Sequence, residues 1–493
     1  MADNTKCYIA VHLGSGDGKV VLGSVKAGAL TTETLHEFSI PRINLGGHSY
    51  WDIYAAYGEV LKGLALAGAR KIPLESIGID AWATGIVCVA KDGSFLAPPR
   101  LYPDVLSPVL QAKFFKRMEK RYLYEAAGVN VLDSHAALQL YGMKREKSVA
   151  LDDAKYLMFI PDAFVYLLTG KRGTGLQSLS AAGLLDRSTG KLSKEVLGAC
   201  KVSRKRFPAI VQSGAKPVKL SEEIAQATGL ARVPVRAVAG QSLAAAVTTL
   251  PLVTSGSSQT ASVYATEGSA FLMLGRVSVM GVATACPIVN DQTYDMNFSN
   301  EAGAGGNTLL MKRIAGTDLL ERCVAAWRAA GLDYGPEDLA RMAREGAEST
   351  AQLDPEDPAL LYDSDIPDAV VRYCSLRSMT VPADNASIIR LIYSSLAEKF
   401  GDTFVKLQSI TPFRLKTLHI IDNSSSGFCA DPVLCRLIAE ECSVPVTFGP
   451  SDASVLGNLL LQSSLPLTVL PAPEPVGTGM PSEVAQDTLS DTL

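Results

Sequence analysis

The sequence predicts a two-domain α/β protein with a ligand cleft between its halves, and three observations carry that expectation. First, β-branched runs stop at glycine and small helix-forming residues follow at once. In "VPVRAVAGQSLAAAV" a strand ends at Gly240 and a helix takes over within about three residues. Second, each half opens on a strand, a glycine-bearing turn and another strand, "CYIAVHLGSGDGKVVLGSV" and "GSAFLMLGRVSVMGVAT". That repeated grammar reads as an old duplication. Third, 493 residues exceed a single core, since domains usually run about 100 to 200 residues.

Composition narrows the function classes. The chain is 47% hydrophobic and 19% charged, with a formal net charge of -4. Nucleic acid and anionic membranes need clustered Lys and Arg, so neither is an expected partner. The basic runs "KFFKRMEKR" and "KVSRKRF" read as solvated helix faces. No signal-peptide pattern is visible and no apolar stretch reaches the roughly 18 to 20 residues of a membrane span, so a cytoplasmic protein is expected. The nine cysteines are scattered and lack zinc-type spacing. Reduced, mostly buried thiols are expected, and no metal-ligand set is assigned from them.

Taken in order, the first element is a hairpin whose turn, Gly14 to Gly18, brings backbone N–H groups into the open. An aromatic turn at Tyr50-Trp51 then leads into an apolar-periodic helix with Asp52 near its start. "SIGIDAWATGIVCVAKDGSFLAPPRLYPD" reads as a buried strand ending at Asp80, a return strand, a turn and a Pro-rich loop. "YLMFIPDAFVYLLTGKRGT" is a further apolar element ending at Thr169-Gly170, and the Gly240 turn closes the half. The second half runs from the hairpin at Gly275 to strand, turn, helix, strand, turn and helix in "LKTLHIIDNSSSGFCADPVLCRLIAEECSVPVTFGPSDASVLGNLLLQ". The expected domains are therefore 1–245 and 246–470, with 471–493 a loose tail and "TSGSSQTASVYATEG" a surface insertion.

The segments "GGHSYWDI", "SIGIDAWATG", "LYPD", "FIPDAFVYLLTGK", "AVAGQSLAAAV", "NFSNEAGAGG" with "LLMKRIAG", and "FGPSDASVLGN" occur in one order over roughly residues 6 to 463. In these the chain resembles the FGGY family of carbohydrate kinases and, within it, the rhamnulokinase group. The resemblance implies two actin-like (ribonuclease H-like) ATPase domains, with a sugar held mainly by the first and ATP with Mg²⁺ held mainly by the second. The sugar pocket it implies would involve Trp82, Ala83, Asp104 and Gln241, and the phosphate region Gly14, Ser15, Gly16, Gly275, Arg276, Asn300, Gly303 and Asn423.

Phosphoryl transfer to a sugar needs a carboxylate to accept the hydroxyl proton, because the hydroxyl itself is a poor nucleophile. Where the resembling kinases carry His-Asp-Thr this chain reads Gln241-Ser242-Leu243, so Ser242 stands at the place of the base. Their Asp-Leu-Gly is His12-Leu13-Gly14 here, and imidazole is a poor Mg²⁺ ligand. Their Ser-Ser-Gly-Thr is Met273-Leu274-Gly275-Arg276, and the glycines beside adenine are Asp422-Asn423-Ser424. Four departures on one path lead to the expectation of little or no phosphoryl transfer, with a sugar, a phosphosugar or a protein partner bound instead. The alternative is an active sugar kinase whose base is Asp17, Asp104 or Asp452. A serine hydrolase has little support, as no G-x-S-x-G elbow occurs. Ser242 is expected to cap the helix that follows, and a homodimer is left open.

Overall fold

The first strand, Lys6–Leu13, is buried from Cys7 onward because neighbours cover both of its faces. Alternation sorts its side chains. Cys7, Ile9, Val11 and Leu13 join one core with Ile77, Ile79 and the helix Ile53–Ala69. Tyr8 and Ala10 join another with Val455 and Leu459 of the helix Ala453–Ser463. A period of two therefore sends His12 toward the second helix, along with Ser76, Gly78 and Asp80 of the strand Leu74–Ala81.

The structure is a computed structural model. It describes residues 5–82, 85–101, 108–130, 135–252, 268–361, 363, 365–422, 431–466, 470 and 474–476. The expected surface insertion and most of the expected tail lie outside them.

The chain forms two compact units, the first made of 1–267, 281–312 and 452–471 and the second of 268–280, 313–451 and 472–493. In the first, a six-stranded sheet runs in the order Val218–Lys219, Pro234–Arg236, Leu74–Ala81, Lys6–Leu13, Asp17–Lys26, Ala29–Ser39. Lys6–Leu13 is antiparallel to its hairpin partner Asp17–Lys26 and parallel to Leu74–Ala81, pairing His12 with Asp80. Glycines let helices sit close on both faces. A Cβ at Gly63 would meet Val20 at 2.5 Å on one side, and one at Gly23 would meet Leu459 at 2.7 Å on the other. The return of 452–471 to the first unit follows from that second contact, although the sequence places the segment with the second half.

In the second unit Ser269–Leu274 lies parallel to Thr417–Asp422, which in turn lies parallel to Val446–Phe448. The helix Asn385–Ile410 packs on the helix Pro432–Cys442, where a Cβ at Gly401 would meet the Glu441 Cβ at 2.8 Å.

Two local expectations are corrected. Tyr50 and Trp51 lie in a short strand, His48–Trp51, paired with Arg42–Leu45 across the left-handed Gly46 and Gly47, and Asp52 alone caps the helix through Ala55 N at 3.0 Å. The strand after Asp80, Ile86–Val89, pairs antiparallel with Tyr156–Phe159 instead of returning along its own predecessor. The eight described cysteines are free thiols, and Cys286 alone among them is exposed. No described helix is long and apolar enough to cross a membrane.

Candidate functional site

The turn at Gly240 is built by backbone geometry. Gly240 takes φ 69°, a conformation that favours glycine. Its carbonyl accepts from Ala81 N at 2.9 Å, and Gln241 bridges Ala81. That fastening brings the first turn of the helix Ser242–Val247 against the end of Leu74–Ala81.

Gln241, not Ser242, caps this helix, its Oε1 accepting from Ala244 N at 2.8 Å. The longer amide reaches the third residue while its own backbone stays extended, leaving the serine as the first helical residue. Ser242 Oγ instead donates to Asp80 Oδ2 at 2.9 Å.

Asp80 has no exposed surface and is the centre of a polar network. His12 Nδ1 lies 2.7 Å from Asp80 Oδ2, and Asn458 Nδ2 donates to Asp80 Oδ1 at 2.8 Å. Behind them Gln462 Nε2 donates to Asn458 Oδ1 and to the Ile9 carbonyl, and Ser76 Oγ donates to Gln462 Oε1. Burial opposes the imidazolium form of His12. Attraction to Asp80, with smaller help from Asp17 and Asp452, outweighs it and raises the His12 pKa above its usual 6.5.

The chemistry of this arrangement follows from donor direction. Ser242 hands its proton to a carboxylate that is already hydrogen-bonded to an imidazole. A nucleophilic serine needs the reverse order, with imidazole between hydroxyl and acid. As a base Ser242 has nothing to offer, because a hydroxyl donating to a carboxylate remains an acid of very high pKa. No group of three or more His, Cys, Asp or Glu among the described residues could hold a metal ion.

The other candidates separate into groups. Gly14 N donates to the Asp17 carbonyl at 2.8 Å, and Asp17 Oδ1 lies 2.8 Å from where a Cβ on Gly14 would stand, so a carboxylate covers this turn. The carbonyls of Ser15 and Gly16 accept from Arg42 and from Ile40 N. Asp452 is held by Lys19 at 3.0 Å. In the second unit Arg276 is ion-paired with Asp318 and, at 3.4 Å, with Glu321, while the Gly275 carbonyl accepts from Thr317 N.

Asn300 spends its amide on Ile288, accepting from its N at 2.7 Å and donating to its O at 2.9 Å. The Gly303 carbonyl accepts from Gln177 Nε2 at 3.0 Å. Ala83, Asp104 and Asn423 lie outside the described residues.

Trp82 lies against Trp51, with ring centroids 4.8 Å apart and the planes tilted by 48°, and its buried Nε1 has no hydrogen-bond partner. Ser178 Oγ, 3.9 Å from the Cβ position of Gly240, is likewise buried and unpartnered. Gln241 Nε2 reaches Glu301 Oε2 at 3.5 Å, and Glu301 is buried. A cavity of about 710 Å³ borders the same turn, with Ile79, Asp162, Leu176, Val238 and Gly240 in its wall. Burial pushes the Asp162 carboxyl up to about 7, against the hydrogen bond it accepts from Gly175 N.

Sequence reasoning missed Asn458, Gln462, Glu301 and Asp162. The first two carried a signal: polar amides four residues apart in the otherwise apolar "ASVLGNLLLQ" share one helix face.

Residues 7–248 match the N-terminal domain of the FGGY family of carbohydrate kinases. A rhamnulokinase of Bacteroides thetaiotaomicron is 33% identical over 456 residues, 92% of this chain and 90% of that protein. One from Lactiplantibacillus plantarum is 28% identical over 93% of this chain and 89% of its own length. Among solved structures, a gluconate kinase from Lactobacillus acidophilus superposes with a TM-score of 0.70 at 15% identity, covering 94% of this chain and 89% of that one.

Proposed function

This chain belongs to the FGGY family of carbohydrate kinases, and from that premise we propose that it is a rhamnulokinase-like member with little or no phosphoryl-transfer activity that binds a sugar or phosphosugar. One observation carries the reading: the side chain at the place of the family's base is the Ser242 hydroxyl, donating to Asp80 at 2.9 Å. Loss of a general base alone lowers rate by about 10² to 10⁴.

The donor set also does not fit the Mg²⁺ that the family resemblance implies. Asp80 is engaged by His12, Ser242 and Asn458, and Mg²⁺ demands several open, hard oxygen ligands in near-octahedral array. A polyphosphate at the Gly14 turn would face the Asp17 carboxylate. The rival reading, an active kinase with a relocated base, draws no support from Asp452, which Lys19 neutralises.

Binding of a polyol draws support from polar groups and a cavity around the same turn. Trp82 Nε1, Ser178 Oγ and the Gln241–Glu301 pair are polar groups suited to hydroxyls, and the cavity walled by Asp162 and Gly240, which these groups do not line, has at about 710 Å³ the volume of an ordinary small-molecule site. The test is a coupled ADP-release assay with Mg·ATP across ketoses, L-rhamnulose first, beside calorimetric titration of the same sugars. The expected result is heat of sugar binding with ADP release at background. Sustained turnover of L-rhamnulose would overturn the reading.

A further inference from the structure

A buried carboxylate must be neutralised by something, since an uncompensated charge in the interior costs several kcal/mol. Asp80 is such a group, with no exposed surface on the end of a central strand. Among the described residues its ion-pair partner is His12, at 2.7 Å. Lys19, which pairs in register with His12 from the strand on its far side, is spent on Asp452 and Glu37. The remaining contacts of Asp80 are neutral donors, Ser242 on the same oxygen as His12 and Asn458 on the other.

We infer that His12 is the resident counter-cation of Asp80, so that the site is electrically complete without a divalent metal ion and its ligand binds to the metal-free protein. The inference deepens the reading above, on whose identification of the site it rests. It assigns a charge-balancing role to a buried side chain; His12 is a positioning residue.

Three features support it. His12 lies where sheet alternation and the His12–Asp80 register leave its ring no direction but the interior, facing the helix Ala453–Ser463. The hydrogen bonds to Asp80 fill Oδ2 twice, leaving that oxygen no lone pair for a metal. A dication approaching Oδ1 would also meet the adjacent imidazolium, a like charge in a poorly screened interior. The raised pKa of His12 agrees with the same picture.

The role makes a demand that simple packing would not. Replacing the cation by an acid, His12→Asp, sets two carboxylates side by side with no counter-charge, and such a pair calls for a dication. The probe is Mn²⁺ alone, titrated into the full chain and followed by loss of its free-ion paramagnetic resonance signal, with thermal melting in EDTA and in Mn²⁺ alongside. The wild type is expected to show no stoichiometric Mn²⁺ site that depends on Asp80, and an unchanged melting temperature. His12→Asp is expected to melt lower in EDTA, to recover in Mn²⁺, and to bind Mn²⁺ at least about 100-fold more tightly than the wild type. His12→Asn, which keeps a hydrogen-bond donor but no charge, is expected to melt lower in both conditions without Mn²⁺ rescue.

A wild-type Mn²⁺ site abolished by Asp80→Asn overturns the inference, and so does a folded His12→Asp protein that gains no Mn²⁺ affinity. The wild-type titration needs no variant to fold. Turnover of a sugar by a wild type that holds no Mn²⁺ at Asp80 would sink the proposed lack of kinase activity and leave His12's role standing. An Asp80-dependent Mn²⁺ site with no turnover does the reverse.

Discussion

Ser242→Asp restores the acid that the family resemblance leads one to expect, and the structure says what it meets. The serine oxygen is 2.9 Å from Asp80 Oδ2, so a carboxylate there brings a second negative charge to within roughly 4 Å of the first. At an effective dielectric constant near 20 that repulsion is worth about 4 kcal/mol, or about 3 pKa units. His12 reduces the figure without cancelling it, because its proton is already committed to Asp80. A carboxyl at 242 is therefore expected to titrate between about 3.9, its unfolded value, and an upper bound of about 7 in the folded state. An acid with a raised folded pKa keeps full stability below its unfolded value and loses it progressively until the folded value is passed. Relative to wild type, the variant should lose up to about 2.5 kcal/mol more at pH 8 than at pH 5. Urea denaturation at the two pH values, read by tryptophan fluorescence to which the buried Trp51 contributes, measures the difference. A Ser242→Asp protein as stable as wild type at pH 8 would refute the placement of Ser242 on Asp80.

Other outcomes follow from the same geometry. The His12–Asp80 pair stabilises the fold fully below the unfolded histidine value of 6.5, and its contribution is lost as pH rises through the higher folded value; His12→Asn should flatten the wild type's decline in urea midpoint above pH 6.5. Asp162, pushed up to about 7 by burial, destabilises the fold increasingly from about pH 4 to 7, so Asp162→Asn should raise the urea midpoint more at pH 8 than at pH 4. Gly457→Ala would place a Cβ 1.9 Å from the Ala245 carbonyl oxygen and should lower stability by about 1 to 3 kcal/mol or more. Gly58→Ala, with open space around its Cβ on the helix Ile53–Ala69, should raise stability by about 0.5 to 1 kcal/mol in the same assay.

Much of the fold was legible from the chain because its signals are local. The hairpin at Gly14, the strand ending at Asp80, the break at Gly240 and the strand–helix alternation after Leu415 all rest on periodicity and turn chemistry, which neighbours in sequence decide. Tyr50-Trp51 was misread as a turn because its strand exists only through pairing with Arg42–Leu45, and the partner of Ile86–Val89 lies some 70 residues on.

At the site, the chain by itself determined which groups are present: a serine at 242 and a histidine at 12, where the family resemblance leads one to expect acids. Tertiary structure alone decided what those groups do. That Ser242 turns away from capping and donates to Asp80, and that Asn458 and Gln462 come back from near the end of the chain to complete the network, depends on contacts spanning up to 453 residues. Local sequence carries residue identity and backbone preference, but a hydrogen bond or ion pair is set by distance and direction, and over such separations only the packed sheet and its covering helix fix those.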